Sequence, residues 1–186
     1  MPTTPTRLQG IVVVEPAVHR DARGFFVETF RAETAERLGI REEWVQDNHS
    51  RSVRGVLRGM HFSVGRGQAK LVRCARGAIM DVVVDIRRGS PTFGRWDSAV
   101  LDDVDHRQIY VPVGFAHGFV VLSDVADVAY RCSNYYDPAV EQGFAWDDPD
   151  VAIDWPADVE VEVSARDADA PRLADIADGL PFVYEG

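Results

Sequence analysis

At 186 residues and 20.7 kDa the chain is the size of one domain, long enough to bury a core without disulfide staples. An apolar content of 46% and a charged content of 27% exclude a disordered chain. Acidic side chains outnumber basic ones 30 to 20, a formal charge of -10, which argues against nucleic acid or an anionic membrane as partner.

The N-terminus, MPTTPTRLQG followed by the apolar run Ile11 to Val14, has neither the charged region nor the apolar stretch of a secretory signal, and no segment approaches a membrane span. A cytoplasmic protein is expected. Alternating apolar and polar residues then recur over Gln9 to Glu15, Phe25 to Phe30, Trp44 to Ser50, Val56 to Phe62, Lys70 to Ala75 and Ala78 to Ile86. They continue over Trp96 to Leu101, Gln108 to Val111, Phe115 to Leu122, Asp127 to Asn134 and Val159 to Val163. Such runs, bounded by Gly, Pro, Asp or Asn, predict strands. Two helices are expected, Ala32 to Leu38 and Arg172 to Asp178, each stopped by a glycine. Without βαβ alternation the pattern predicts an all-β protein, a jelly-roll sandwich forming a single domain over residues 1–186. In Ala78 to Ile86 the face holding Asp81, Val83 and Asp85 is expected to line something wet or functional.

Cys74 and Cys132 lie too far apart for a zinc-ligand pair and read as small buried hydrophobes. Between Asp47 and Asp81 no acid occurs, whereas Arg51, Arg54, Arg58, Arg66, Lys70, Arg73 and Arg76 all do. Strand alternation sends some of these to solvent, and the remainder could cradle a phosphate or diphosphate. Neither a G-x-G-x-x-G fingerprint nor a P-loop is present, so side chains on strands would have to hold it. Lys70 is the only lysine among twenty basic residues, a survivor of an arginine-rich composition or a compact ammonium placed beside a developing oxyanion.

His61 lies in VLRGMHF and His117 in VPVGFAHGFVVLS, apolar surroundings that suit either a satisfied core histidine or a catalytic one. Gly55, His61, Pro112, Gly114 and His117 overlap the G-x5-H-x-H-x3,4-E and P-x-G-x-x-H patterns of metal-binding cupins. Ser63 replaces the second histidine and the glutamate is missing, so two of four ligands are absent and no metal site is expected.

The runs DARGFF with Glu28, QDNHS, GVLRGMHF, KLVRC, DVVVDIRRGSPTFGRW, VPVGFAHGFVVLS, NYYDP, WDDP and S-x-R-D near Asp167 cover nearly the whole chain in order. In these the sequence resembles the dTDP-4-dehydrorhamnose 3,5-epimerases, cupin-type jelly-roll homodimers acting on dTDP-linked 4-keto-6-deoxy sugars with no metal or redox cofactor. The resemblance makes His61 the proton acceptor, with Asp167 as its dyad partner, and Tyr130 the proton donor. It makes Lys70 the stabiliser of the enolate oxygen, and sets His117 and Asp81 close to the sugar. Arg23, Glu28, Gln46, Asp47, Asn48, Arg58, Glu141 and Arg166 match nucleotide-sugar contacts. Tyr136 matches an aromatic that stacks on thymine, although Tyr135 and Tyr136 by themselves suit strand packing equally.

Met60, Phe62, Ser63, Ala69 and Arg166 depart from the rhamnose-pathway pattern and look more like the branch serving deoxysugars of secondary metabolites. The expected activity is therefore epimerisation at C3 and C5 of dTDP-4-dehydro-6-deoxy-D-glucose, with epimerisation of a single centre as the alternative. A catalytically idle sugar-nucleotide binder and a metal-dependent dioxygenase are the readings outside that class.

Overall fold

A computed structural model describes residues 2–186. In chain order the elements are β1 (Thr3–Thr4), β2 (Val12–Val14), β3 (Val18–Asp21), β4 (Gly24–Val27), α1 (Ala32–Arg37), β5 (Gln46–Val53), β6 (Leu57–Ser63), β7 (Lys70–Arg76) and β8 (Ala78–Asp85). There follow β9 (Trp96–Asp102), β10 (Gln108–Val111), β11 (Phe115–Val121), β12 (Val125–Cys132), β13 (Glu141–Gly143), α2 (Ala165–Ala168), α3 (Leu173–Ile176) and a 3-10 turn, Ala177–Gly179. One sheet has the order β1-β2-β10-β7-β12-β5 and the other β13-β6-β11-β8-β9, while β3 and β4 form a separate hairpin. Every pairing within them is antiparallel, and the two sheets face each other as the expected jelly-roll sandwich.

Strand alternation explains why the sheets close on one another. Val72 and Cys74 of β7, Ile109 and Val111 of β10 and Val128 of β12 meet Ile79 and Val83 of β8 with Phe115, Phe119 and Val121 of β11 in the inter-sheet core. The opposite face of the second sheet, Met60, Phe62, Val82, Val84 and Ala116, is covered by the C-terminal segment through Phe144, Val151, Leu173, Leu180 and Phe182. On the outer face of the first sheet, Ala35 of α1 and Ile40 pack on Leu71 and Tyr110. Both cysteines are fully buried.

The structure corrects two of these expectations and adds elements that were not expected. The Val159 to Val163 run makes only one isolated bridge, Glu162 to Val56; its valines are apolar because an extended segment packs them near Leu57 and Val120, with no ladder required. The Arg172 to Asp178 helix is one α turn that tightens into a 3-10 turn. β1, β3, β13 and α2 were not expected, being short and polar, without an apolar period. The Asp81–Val83–Asp85 face of β8, expected to line something wet or functional, is closed to solvent, since both aspartates have no exposure. Asp85 accepts from the Arg87 guanidinium and from the Ser90 and Thr92 hydroxyls, and Asp81 is paired with His117.

Candidate active site

A cavity of about 490 Å³ lies between the two sheets, within the size range of small-ligand sites. Its walls are supplied by different sheets. Asn48 and Ser50 of β5, Lys70 of β7 and Tyr130 of β12 come from the first; Arg58 and His61 of β6, with His117 and Phe119 of β11, come from the second. Gln68, Tyr136, Glu141 and the stretch from Glu162 to Asp167 complete the lining.

His61 is aimed by a tight local packing of backbone. The register of β6 on β11 shifts between His117 and Phe119, so that His61 stands directly across from His117. The two chains approach so closely there that a Cβ on Gly59 would meet Gly118 Cα at 2.6 Å, and one on Gly118 would meet Arg58 O at 3.0 Å. His61 Nε2 lies 2.6 Å from Asp167 Oδ1. The carboxylate can only accept, so Nε2 carries the hydrogen and Nδ1 keeps its lone pair. Asp167 is 7% exposed at its side chain and sits in α2, whose first turn is capped by Ser164 Oγ accepting from Asp167 N at 3.1 Å. Burial pushes the His61 imidazole below its ordinary value, against the opposing pull of Asp167, so the ring is neutral and basic at pH 7.

Across the cavity, the Lys70 Nζ lies 6.0 Å from the centre of the Tyr130 ring. Among the described residues this ammonium makes no ion pair, and desolvation pushes its pKa down. Burial raises the Tyr130 phenol, which is therefore protonated at neutral pH. His117 Nε2 rests 2.9 Å from Asp81 Oδ2, a second imidazole–carboxylate pair with the imidazole in the cavity wall and the carboxylate behind it. A neutral base, a protonated acid and an unpaired cation thus surround one space, the acid and base on facing sheets.

Comparison with known proteins gives this arrangement a family. Residues 5–175 match the family model described as dTDP-4-dehydrorhamnose 3,5-epimerase. The chain belongs to that family. The dTDP-4-dehydrorhamnose 3,5-epimerase of Salmonella typhimurium is 48% identical over 170 residues, 90% of this chain and 93% of that protein. A dTDP-4-dehydrorhamnose 3-epimerase of Streptomyces niveus is 45% identical over 183 residues, 97% of this chain and 88% of that one. A crystal structure of the Legionella pneumophila dTDP-6-deoxy-D-glucose-3,5-epimerase in complex with dTDP-4-keto-L-rhamnose superposes with a TM-score of 0.96 at 45% identity, covering 100% of this chain and 99% of that one.

Of the site residues expected in this epimerase, His61, Tyr130, Asp167, Lys70, Asn48, Arg58, His117, Tyr136, Glu141 and Arg166 all line the cavity. Gln46 stands behind it, bonded to Tyr136 N and Asn48 Oδ1, and Asp81 stands behind His117. Asp47, on the other face of β5, lines an outer depression and lies 3.5 Å from Arg131. Arg23 and Glu28 are outside the cavity altogether: Arg23, with 90% of its side chain exposed, pairs with Asp21 at the tip of the β3–β4 hairpin, and Glu28 pairs with Arg31. Of the acid-free cationic stretch only Arg58 and Lys70 reach the cavity; Arg51 pairs with Asp127 and Arg54 with Asp158 at the surface, and Arg73 lines the outer depression.

Sequence reasoning missed Ser50, Val56, Leu57, Gln68, Phe119, Glu162, Val163 and Ser164 as lining residues. Ser50 and Phe119 were accessible to it, because each lies two residues beyond an expected site residue on the same strand, Asn48 and His117. Nothing local marked Ser164. Among the described residues no helix is long and apolar enough to cross a membrane.

Proposed function

We propose that this isomerase inverts C3 and C5 of dTDP-4-dehydro-6-deoxy-D-glucose through an enolate, giving dTDP-4-dehydro-L-rhamnose. The observation that carries the reading is the pairing of a neutral imidazole and a protonated phenol on facing sheets of one cavity, in a chain of this family.

A hydrogen α to the sugar ketone is acidic only because the C4 carbonyl can take up the charge left behind. His61 Nδ1 accepts that proton, Asp167 holding the tautomer and stabilising the imidazolium that results. The Lys70 ammonium meets the C4 oxygen as it becomes an enolate oxyanion, where loss of one such donor costs about 3 to 4 kcal/mol. Inversion then needs a proton from the opposite face, which His61 cannot reach. Tyr130 supplies it from the other sheet. Positioned groups of this type each contribute roughly 10² to 10⁴ in rate.

Remote binding holds the small sugar in register. Arg58 and Arg166 suit the diphosphate, Tyr136 stacks on the thymine, and Glu141 and His117 contact the nucleotide sugar. Arg23 and Glu28 reach a site only in a homodimer in which the β3–β4 hairpin, with Phe25 and Phe26 exposed at 53% and 69%, lies over the neighbouring subunit.

The test is incubation with dTDP-4-dehydro-6-deoxy-D-glucose in D2O, followed by NMR of the sugar. Deuterium at both C3 and C5 with inversion at both is expected. Deuterium at one carbon alone would replace this reading with that of a single-centre epimerase.

A further inference from the structure

The inner face of β5 and β12 at the cavity carries a hydrogen-bond chain whose polarity is set from one end. Gln46 stands opposite Cys132, and Asn48 opposite Tyr130, so these four side chains form two adjacent cross-strand pairs. Tyr136 N lies 3.0 Å from Gln46 Oε1. A backbone N–H can only donate, so the oxygen of the Gln46 amide must face it. The Gln46 Nε2 is left to donate to Asn48 Oδ1 at 2.9 Å. The Asn48 Oδ1 is thereby engaged, and its Nδ2 faces the other way, toward Cys132 Sγ at 3.5 Å on β12, the strand on which Tyr130 stands directly opposite Asn48.

This orientation has a chemical consequence for the acid. If the Asn48 amide were turned over, its oxygen would accept the Tyr130 hydroxyl hydrogen and tie it to the protein. As it stands, the amide turns its N–H side to the strand that carries Tyr130, and a hydrogen bond from it to the phenol oxygen would leave the O–H free for the sugar and stabilise the phenolate left after proton transfer.

We propose that Gln46 is a positioning residue that acts through Asn48 to keep a hydrogen-bond donor on the Tyr130 phenol, linking the seating of the Tyr136 loop to delivery of the proton. The Asn48 amide lowers the phenol pKa, opposing the upward push of burial, as a donor to the phenolate should. The buried Cys132 thiol, raised to about 11, remains neutral and serves as a weak acceptor that holds the second Asn48 hydrogen. The inference rests on the reading of Tyr130 as the acid.

The experiment measures, in D2O, the ratio of deuterium wash-in to completed inversion. Gln46→Glu keeps the acceptor for Tyr136 N but cannot donate to Asn48. It should lower inversion by about tenfold, the worth of one lost hydrogen bond, while wash-in changes little, so the ratio rises. Gln46→Met, of similar volume and with neither bond, carries the same expectation should the glutamate variant fail to fold. In a Tyr130→Phe background the Gln46 substitution should have no further effect on the ratio. A Gln46 effect that persists undiminished in that background, or that falls on KM alone, would overturn the relay and leave Tyr130 as the acid. Unimpaired inversion by Tyr130→Phe itself would remove the acid role and the relay together.

Discussion

A histidine can serve as base at neutral pH only if it is not already protonated, and at His61 two influences of opposite sign decide this. Burial depresses the imidazole, the larger effect, while the Asp167 hydrogen bond and charge raise it. Protonation of His61 therefore sets an acidic limb on kcat/KM below the ordinary histidine value, with activity lost as pH falls through it. Asp167→Asn removes the raising influence and leaves the depressing one, so the limb should move to still lower pH. The plateau should fall by roughly 10²-fold or more, since the tautomer and the imidazolium lose their partner. A kcat/KM profile against pH checks both, and a limb that stays in place or moves upward would show that Asp167 does not act on His61.

At the scale of elements, what could be read from the sequence depended on how a residue came to be buried. Strands such as Ala78–Asp85 and Phe115–Val121 were legible because one or both faces pack against other layers, and burial writes a period into the side chains. β3 and β13 are short and largely polar and bury little, so backbone pairing alone defines them. Val159 to Val163 shows the converse: alternation survives wherever an extended segment is half-buried, whether or not a neighbouring strand accepts its hydrogen bonds. The site divides along the same line. His61, Lys70, Tyr130 and His117 sit on strands with recognisable neighbours, whereas the cap at Ser164 and the occupation of Gln46 by Tyr136 N depend on long-range placement that no local pattern records. For Asp81 the strand was legible and the exclusion of water was not: Oδ2 pairs with one buried imidazole, while Oδ1 has no hydrogen-bond partner among the described residues.

For the whole molecule, the consequence of a sandwich is that acid and base can be carried by different sheets, with the core between them fixing their separation, while the side chains proposed to hold the nucleotide lie around the rim. A homodimer that completes this rim through the β3–β4 hairpin makes a distinctive prediction. Mixing inactive His61→Ala subunits with weakened Arg23→Ala subunits should restore turnover, because each mixed dimer then holds one site with both an intact His61 and the other subunit's intact Arg23. No recovery on subunit exchange, with dimers verified by light scattering, would place Arg23 in service of its own chain or of none. The account depends most directly on His61 as the group that opens the reaction. Position-resolved NMR of the sugar after incubation with His61→Ala in D2O should show no deuterium at C3 or C5 while dTDP still binds, and exchange at the wild-type rate at either carbon would contradict it.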